Sequence, residues 1–127
     1  MKSSNLLSLA NVAKEAAKNA GKKLLEEFQK PQEVLLSKGR DIKLAVDEIA
    51  EKIIIDCLKE GSKLPILSEE AGITDDLGSE FWVVDPLDGT SNFSRSIPIC
   101  SSSISLFKDG NPCIGVIYDF LNNNLYW

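Results

Sequence analysis

The hydrophobic pattern changes period near Gly61, and that change limits the fold more than any other feature of the chain. Before it, apolar residues recur at three- and four-residue steps; after it, they come in short runs and alternations. Over residues 4–29, Leu6, Leu9, Ala10, Ala13, Ala17, Ala20, Leu24 and Phe28 make one apolar stripe opposite lysines and glutamates, which predicts an amphipathic helix. Ser4 or Asn5 can cap its start, and Pro31 fixes its end. Residues 33–40 read as a short apolar run closing in a polar, glycine-containing loop. A second helix is predicted over 44–60, with Ile49, Ile53 and Cys57, and Ile54 and Leu58, as its apolar rows and Gly61 as the residue just past its end.

Beyond Gly61, residues 64–67 are short and extended, 68–72 terminate them, and 73–79 form an acidic loop. Residues 81–84 are a continuous apolar run of the kind a buried strand shows, with Pro86 expected to stop it. Residues 99–107 alternate serine with apolar side chains, 108–111 make a hairpin turn, and 112–118 return as the partner strand. After a turn at 122–124, residues 125–127 start one more strand. That last strand reads as part of an incomplete sheet, with a short edge strand as the alternative. Two helices followed by antiparallel strands give an α+β fold, two N-terminal helices packed on an antiparallel sheet.

The 127 residues suffice for one domain, or for half of a larger one, with a core burying about two thirds of the unfolded surface. Fourteen Lys and Arg against nineteen Asp and Glu leave a formal charge of −5, so binding to nucleic acid through a basic surface is not expected. No window approaches a membrane-spanning apolar length, and the charged N-terminal stretch does not resemble a signal peptide. Cys57, Cys100 and Cys113 are widely spaced and odd in number, which predicts reduced thiols and a cytoplasmic location. The chain has no histidine, so Ser-His-Asp, Cys-His and His-zinc chemistry are excluded together. Any catalysis falls to carboxylates, hydroxyls, lysines, backbone groups or bound hard metals.

The run Trp82-Val83-Val84-Asp85-Pro86-Leu87-Asp88-Gly89-Thr90-Ser91-Asn92-Phe93 concentrates such groups. Asp85, the Leu87 carbonyl and Asp88 can face one pocket, and hard oxygen ligands suit Mg²⁺ rather than zinc or copper. From Gly89 onward a short helix should begin, and its free N–H groups favour an anion. Asp85 and Asp88 also have an ordinary reading as caps of a tight turn. Ser68-Glu69-Glu70 closes another apolar run, although paired loop glutamates are commonly just solvated. Asp47, at the start of the second helix, is a candidate both for the site and for simple capping.

Residues 82–95 resemble the metal-binding signature of the inositol monophosphatase family, the lithium-sensitive, magnesium-dependent sugar phosphatases. Leu67-Ser68-Glu69-Glu70 resembles that family's upstream acidic motif, and Lys38, Asp41 and Asp47 match its earlier spacing. The resemblance covers the whole chain, but only as the N-terminal half of a layered αβαβα domain, which leaves residues 1–127 without a C-terminal half. It implies Glu69, Asp85 and the Leu87 carbonyl as ligands of a first Mg²⁺, with Asp85 bridging to a second metal that Asp88 also binds. It implies that Thr90 and Glu69 position and help deprotonate the attacking water, with Asp47 accepting from the Thr90 hydroxyl. Asp88 and the amides of Gly89 and Thr90 would meet the substrate phosphate, and Glu70 would contact a weaker third metal.

Two positions depart from the family pattern: Leu44 stands where a threonine is usual, and Lys43 where an apolar residue is. The implied function is phosphomonoester hydrolysis of a small phosphorylated polyol or sugar, impaired without the second half. Alternatives are fructose 1,6-bisphosphatase or nucleotide 3′-phosphatase activity, or a non-catalytic remnant or regulatory module of the extragenic-suppressor type. The unfinished sheet should expose apolar surface that self-associates or pairs with a C-terminal half.

Overall fold

The computed structural model describes residues 3–39, 41–69, 71–73 and 76–127. The first amphipathic stripe becomes helix α1 (Ser3–Glu27). Its buried face is almost all small: Ala10, Ala13, Ala16, Ala17 and Ala20 lie between Leu9 and Leu24. Small side chains let α2 (Ala45–Gly61) approach closely, and the two helices pack along one another. Between them, the run over 33–40 is not simply a loop approach. It is strand β1 (Val34–Lys38) of a hairpin whose return strand is β2 (Asp41–Leu44). Gly39, with φ +60°, sits in the turn between them. Arg40 lies outside the described residues.

The remaining strands are β3 (Ile66–Ser68), β4 (Gly72–Ile73), β5 (Glu80–Asp88), β6 (Ser101–Lys108), β7 (Asn111–Asp119) and β8 (Asn124–Tyr126). They form one six-stranded sheet in the order β4-β3-β5-β6-β7-β8. Short helix α3 (Thr90–Ser94) follows β5. The α+β class stands, but the sheet is mixed rather than antiparallel, because β3 runs parallel to β5. The connection between them makes this possible: β4 runs antiparallel to β3 and brings the chain back toward the end at which β3 began, where β5 starts.

Side chains alternate through the sheet. Trp82, Val84, Ile104, Leu106, Ile114 and Val116 are buried, while Phe81, Val83, Ser103, Ser105 and Ile117 between them are partly or well exposed. Helix α1 lies on β6 and β7 and α2 on β5, so the helices cover the face that carries the buried set. Trp82 is fully buried and its Nε1 donates to Ser62 Oγ at 2.9 Å, so its one polar atom is satisfied. Among the described residues, no helix is long and apolar enough to cross a membrane.

Three local expectations are corrected. Pro86 does not stop the strand: β5 continues to Asp88, and the register with β6 slips between Asp85 and Asp88. A proline within such an irregularity forfeits no ladder hydrogen bond, and its carbonyl accepts from buried Ser102 Oγ at 2.7 Å. Gly61 is the last helical residue rather than a left-handed residue beyond the helix, and the C-cap is Ser62 in an extended conformation. Residues 73–79 are not wholly loop, since Ile73 pairs with Leu67 in the short β4; Thr74 and Asp75 lie outside the described residues.

Candidate functional site

Parallel pairing is what brings the first two carboxylates together. Ser68 is in register with Val84, so Glu69 and Asp85 are each the next residue at the same end of neighbouring strands. The Glu69 N–H donates to the Val84 carbonyl at 3.3 Å and carries the ladder one step further. Ile66 and Ser68 face the helices and are buried, as are Trp82 and Val84; Glu69 and Asp85 therefore share the opposite parity and the opposite face. An antiparallel pair would have sent these carboxylates to opposite ends of the sheet.

Past Asp85 the slipped register changes the direction of the backbone. Leu87 turns its side chain into the core while Asp88 stays exposed. Gly89 then adopts φ +91°, and a Cβ there would lie 2.7 Å from the Ile99 carbonyl, so only glycine fits. Thr90 opens α3, and Phe93, buried against Phe28 and Phe120, anchors that helix to the core. The outcome is a pocket of about 480 Å³ lined by Glu69, Asp85, Leu87, Asp88, Gly89, Thr90 and Ser91 on one side. The β1–β2 hairpin contributes Leu36, Asp41, Ile42 and Lys43 on the other. A neighbouring cleft of about 530 Å³ shares Asp88 and Gly89 and extends to Asn92, Cys100, Ser101 and Asp119.

The electrostatics of this pocket are unbalanced. Burial, the Glu69 carboxyl within hydrogen-bonding reach, and the charges of Glu69, Asp88 and Asp47 together push the Asp85 carboxyl up to about 7. Its Oδ1 is buried with no hydrogen-bond partner among the described residues. A buried carboxyl oxygen with no donor, set among like charges, is a group that a cation would satisfy. Lys43 lines the pocket but pairs with Glu48 at 3.3 Å. Among the described residues, no group of three or more His, Cys, Asp or Glu side chains is clustered tightly enough to hold a metal ion alone. The donors fit Mg²⁺ nonetheless: they are hard oxygens, one of them a backbone carbonyl, and Mg²⁺ keeps several waters and needs only one or two carboxylates.

Asp47 is buried at the first turn of α2 and does two jobs. Its Oδ2 accepts the Leu44 N–H at 2.8 Å, which is the capping role. Its Oδ1 lies 3.1 Å from Thr90 Oγ1, which in turn is 3.1 Å from the Leu87 carbonyl. A hydroxyl has a single proton, so Thr90 donates to one of these acceptors at a time and keeps lone pairs for another donor. Leu44, the N-cap residue, has no side-chain acceptor, so the cap runs only from Asp47 back to the Leu44 amide. In exchange, the Leu44 side chain is fully buried in the core.

The structure therefore gathers Glu69, Asp85, Leu87, Asp88, Gly89 and Thr90 at one pocket, with Asp47 bonded to Thr90 from behind. Of the earlier pair, Asp41 lines the pocket, whereas Lys38 is exposed on β1 and is not among its lining residues. Glu70 lies outside the described residues. Lys43 was legible only as a departure from a pattern; its place on the pocket wall depends on the β1–β2 hairpin, whose strand signal is four residues long.

Known proteins share this sequence pattern and this fold. The sequence profile of the inositol monophosphatase family matches residues 5–127. The Nus factor SuhB of Xylella fastidiosa is 40% identical over 121 residues, covering 91% of this chain and 43% of that protein. The inositol-1-monophosphatase of Synechocystis is 35% identical over 129 residues, covering 97% of this chain and 44% of that protein. The crystal structure of the extragenic suppressor protein suhB from Bartonella henselae superposes with a TM-score of 0.85 at 36% identity, over 91% of this chain and 46% of that one. The chain thus spans less than half the length of these relatives. With a profile match over nearly its full length, the chain belongs to the inositol monophosphatase family.

Proposed function

We propose that this chain is a Mg²⁺-dependent phosphomonoesterase module acting on a small phosphorylated polyol or sugar in the cytoplasm. The observation that carries the reading is the buried, unpartnered Asp85 Oδ1 beside Glu69, at a pocket completed by Asp88, the Leu87 carbonyl and the opening turn of α3. Glu69, Asp85 and the Leu87 carbonyl would hold one Mg²⁺, and Asp85 with Asp88 would contribute to a second. Bound there, the cations would lower the pKa of water and offset the charge that develops on the phosphoryl group. Asp47 fixes the Thr90 hydroxyl, leaving its lone pairs to accept a hydrogen bond from the attacking water, whose proton would pass to the Glu69 carboxylate. The amides of Gly89 and Thr90 orient the phosphate, and Asp88 meets the substrate at the junction with the neighbouring cleft. The odd number and wide spacing of the cysteines support a reducing compartment.

The test is Mg²⁺-dependent phosphate release from inositol 1-phosphate by the purified chain, with and without a fragment supplying the remainder of a relative such as the Synechocystis enzyme. Weak release alone is expected, because losing one electrostatic element of a site costs about a hundred- to a thousandfold in rate. Complementation should raise it, with sensitivity to lithium. Release that ignores both Mg²⁺ and the Asp85→Asn substitution would overturn the reading. A second reading draws on relatives named as Nus factor SuhB: the chain would be a transcription-associated module without turnover. Normal Mg²⁺ binding with no phosphate release from any ester, even when complemented, would favour it. The Thermococcus kodakarensis relative, named fructose-1,6-bisphosphatase/inositol-1-monophosphatase, makes fructose 1,6-bisphosphate the second ester to assay.

A further inference from the structure

One carboxylate outside the pocket remains unexplained by the chemistry above. Glu51 is buried on α2, and burying a charged group is unfavourable unless it is hydrogen-bonded. Its Oε2 accepts from Ser68 Oγ at 2.7 Å and from the Ala71 N–H at 2.9 Å. Ser68 is itself buried, at the carboxyl end of β3. These two donors bracket Glu69, so a single oxygen clamps the turn that carries it from both sides. Glu51 follows Asp47 by four residues, which places both on one face of α2. Asp47 holds Thr90, while Glu51 holds the Glu69 turn. One helical turn therefore grips two of the segments that line the pocket.

We propose that Glu51 is a positioning residue: its carboxylate sets the Glu69-bearing turn against Asp85 and so tunes the affinity of the pocket for divalent cations. The inference rests on the metal reading of the pocket and extends it to a residue that touches neither the metal nor the substrate. Groups one shell behind a metal ligand typically alter metal affinity ten- to a hundredfold when removed. Because one acceptor oxygen takes both bonds, glutamine can reproduce the clamp, whereas methionine has the length of glutamate without the acceptor.

The experiment measures Mg²⁺ affinity by titration calorimetry, and amide hydrogen exchange at Ala71 in the metal-free chain, for the parent, Glu51→Met, Glu51→Gln, Ser68→Ala and Asp85→Asn. Glu51→Met should weaken Mg²⁺ about ten- to a hundredfold and accelerate exchange at Ala71. Glu51→Gln should restore both. Ser68→Ala, which leaves the carboxylate and its Ala71 bond in place, should weaken Mg²⁺ by a smaller factor, and it decides the question if Glu51→Met does not fold. Gly61→Ala, at the far end of α2, controls for general loosening and should leave Mg²⁺ affinity unchanged. Parent-like affinity and Ala71 protection in folded Glu51→Met, or in Ser68→Ala if that variant must decide, would overturn the proposal, as would a Glu51→Gln as defective as Glu51→Met. If the parent and Asp85→Asn bind Mg²⁺ equally, the metal reading itself has failed; exchange at Ala71 still reports whether Glu51 anchors the turn.

Discussion

At Asp85 the fold opposes the charge that the proposed function requires. Its carboxyl is pushed from an ordinary value of 3.8 up to about 7 by burial and by neighbouring Glu69, Asp88 and Asp47. The folded state thus holds this proton more tightly than the unfolded chain does. The resulting stability is fully present below about pH 4 and is lost progressively as the pH rises to about 7. We expect the metal-free chain to lose stability over that window, and Asp85→Asn to remove this part of the pH dependence. At pH 8 the variant should therefore be more stable than the parent without metal, while binding Mg²⁺ far more weakly. Urea unfolding at pH 5 and pH 8 with chelator present would show it; a parent and variant with the same pH dependence would contradict the crowding of charge at this site. Such a substitution stabilises by disabling a site, the usual relation between strained functional groups and fold.

The helices and strands show how much of this was written in the chain. Periodicity located both helices to within a few residues, because a 25-residue stripe and a 17-residue stripe repeat often enough to be unambiguous. The resemblance singled out Asp85, Leu87, Asp88 and Thr90, and the structure brings all four to the lining of one pocket. What could not be read was pairing. Whether Ile66–Ser68 runs parallel or antiparallel to Glu80–Asp88 is not encoded in either strand, yet it decides whether Glu69 reaches Asp85. Glu51 was equally silent, since a glutamate on a helix ordinarily faces water. Gly61 was misread for a physical reason: glycine near a helix end suggests a turn, but here it makes room. A Cβ on it would meet Val12 Cγ1 at 2.6 Å and Val12 Cβ at 3.2 Å, and a β-branched side chain cannot rotate its own Cβ away. Gly→Ala within a helix normally stabilises by about 0.5–1 kcal/mol. Gly61→Ala should instead destabilise by about 1–3 kcal/mol through overpacking, measured by denaturant unfolding. A gain in stability would show that α1 and α2 are not packed this closely.

At the scale of the molecule, both helices lie on one face of the sheet, and apolar side chains remain on the other surfaces. Ile117 and Tyr126 are cross-strand partners, 48% and 58% exposed, and Ile99 and Trp127 are 70% and 68% exposed. Apolar surface in contiguous patches promotes association. We expect concentration-dependent self-association at micromolar levels, relieved by Ile117→Lys, as read by sedimentation velocity. A cleanly monomeric parent would contradict that. The pocket lies at the carboxyl ends of β3 and β5, so it depends on the whole assembly: the parallel pair, the slipped strand, the hairpin wall and the α2 face behind. The proposed function stands or falls with a divalent cation on Asp85. Manganese scatters anomalously and accepts the same oxygen ligands as magnesium. In crystals of this chain soaked with Mn²⁺, the anomalous difference map should place an ion within direct coordination distance of Asp85 Oδ1, shared with Glu69 and the Leu87 carbonyl. An ion bound only elsewhere, or no ion at saturating Mn²⁺ with the Asp85 carboxylate unaltered, would contradict it.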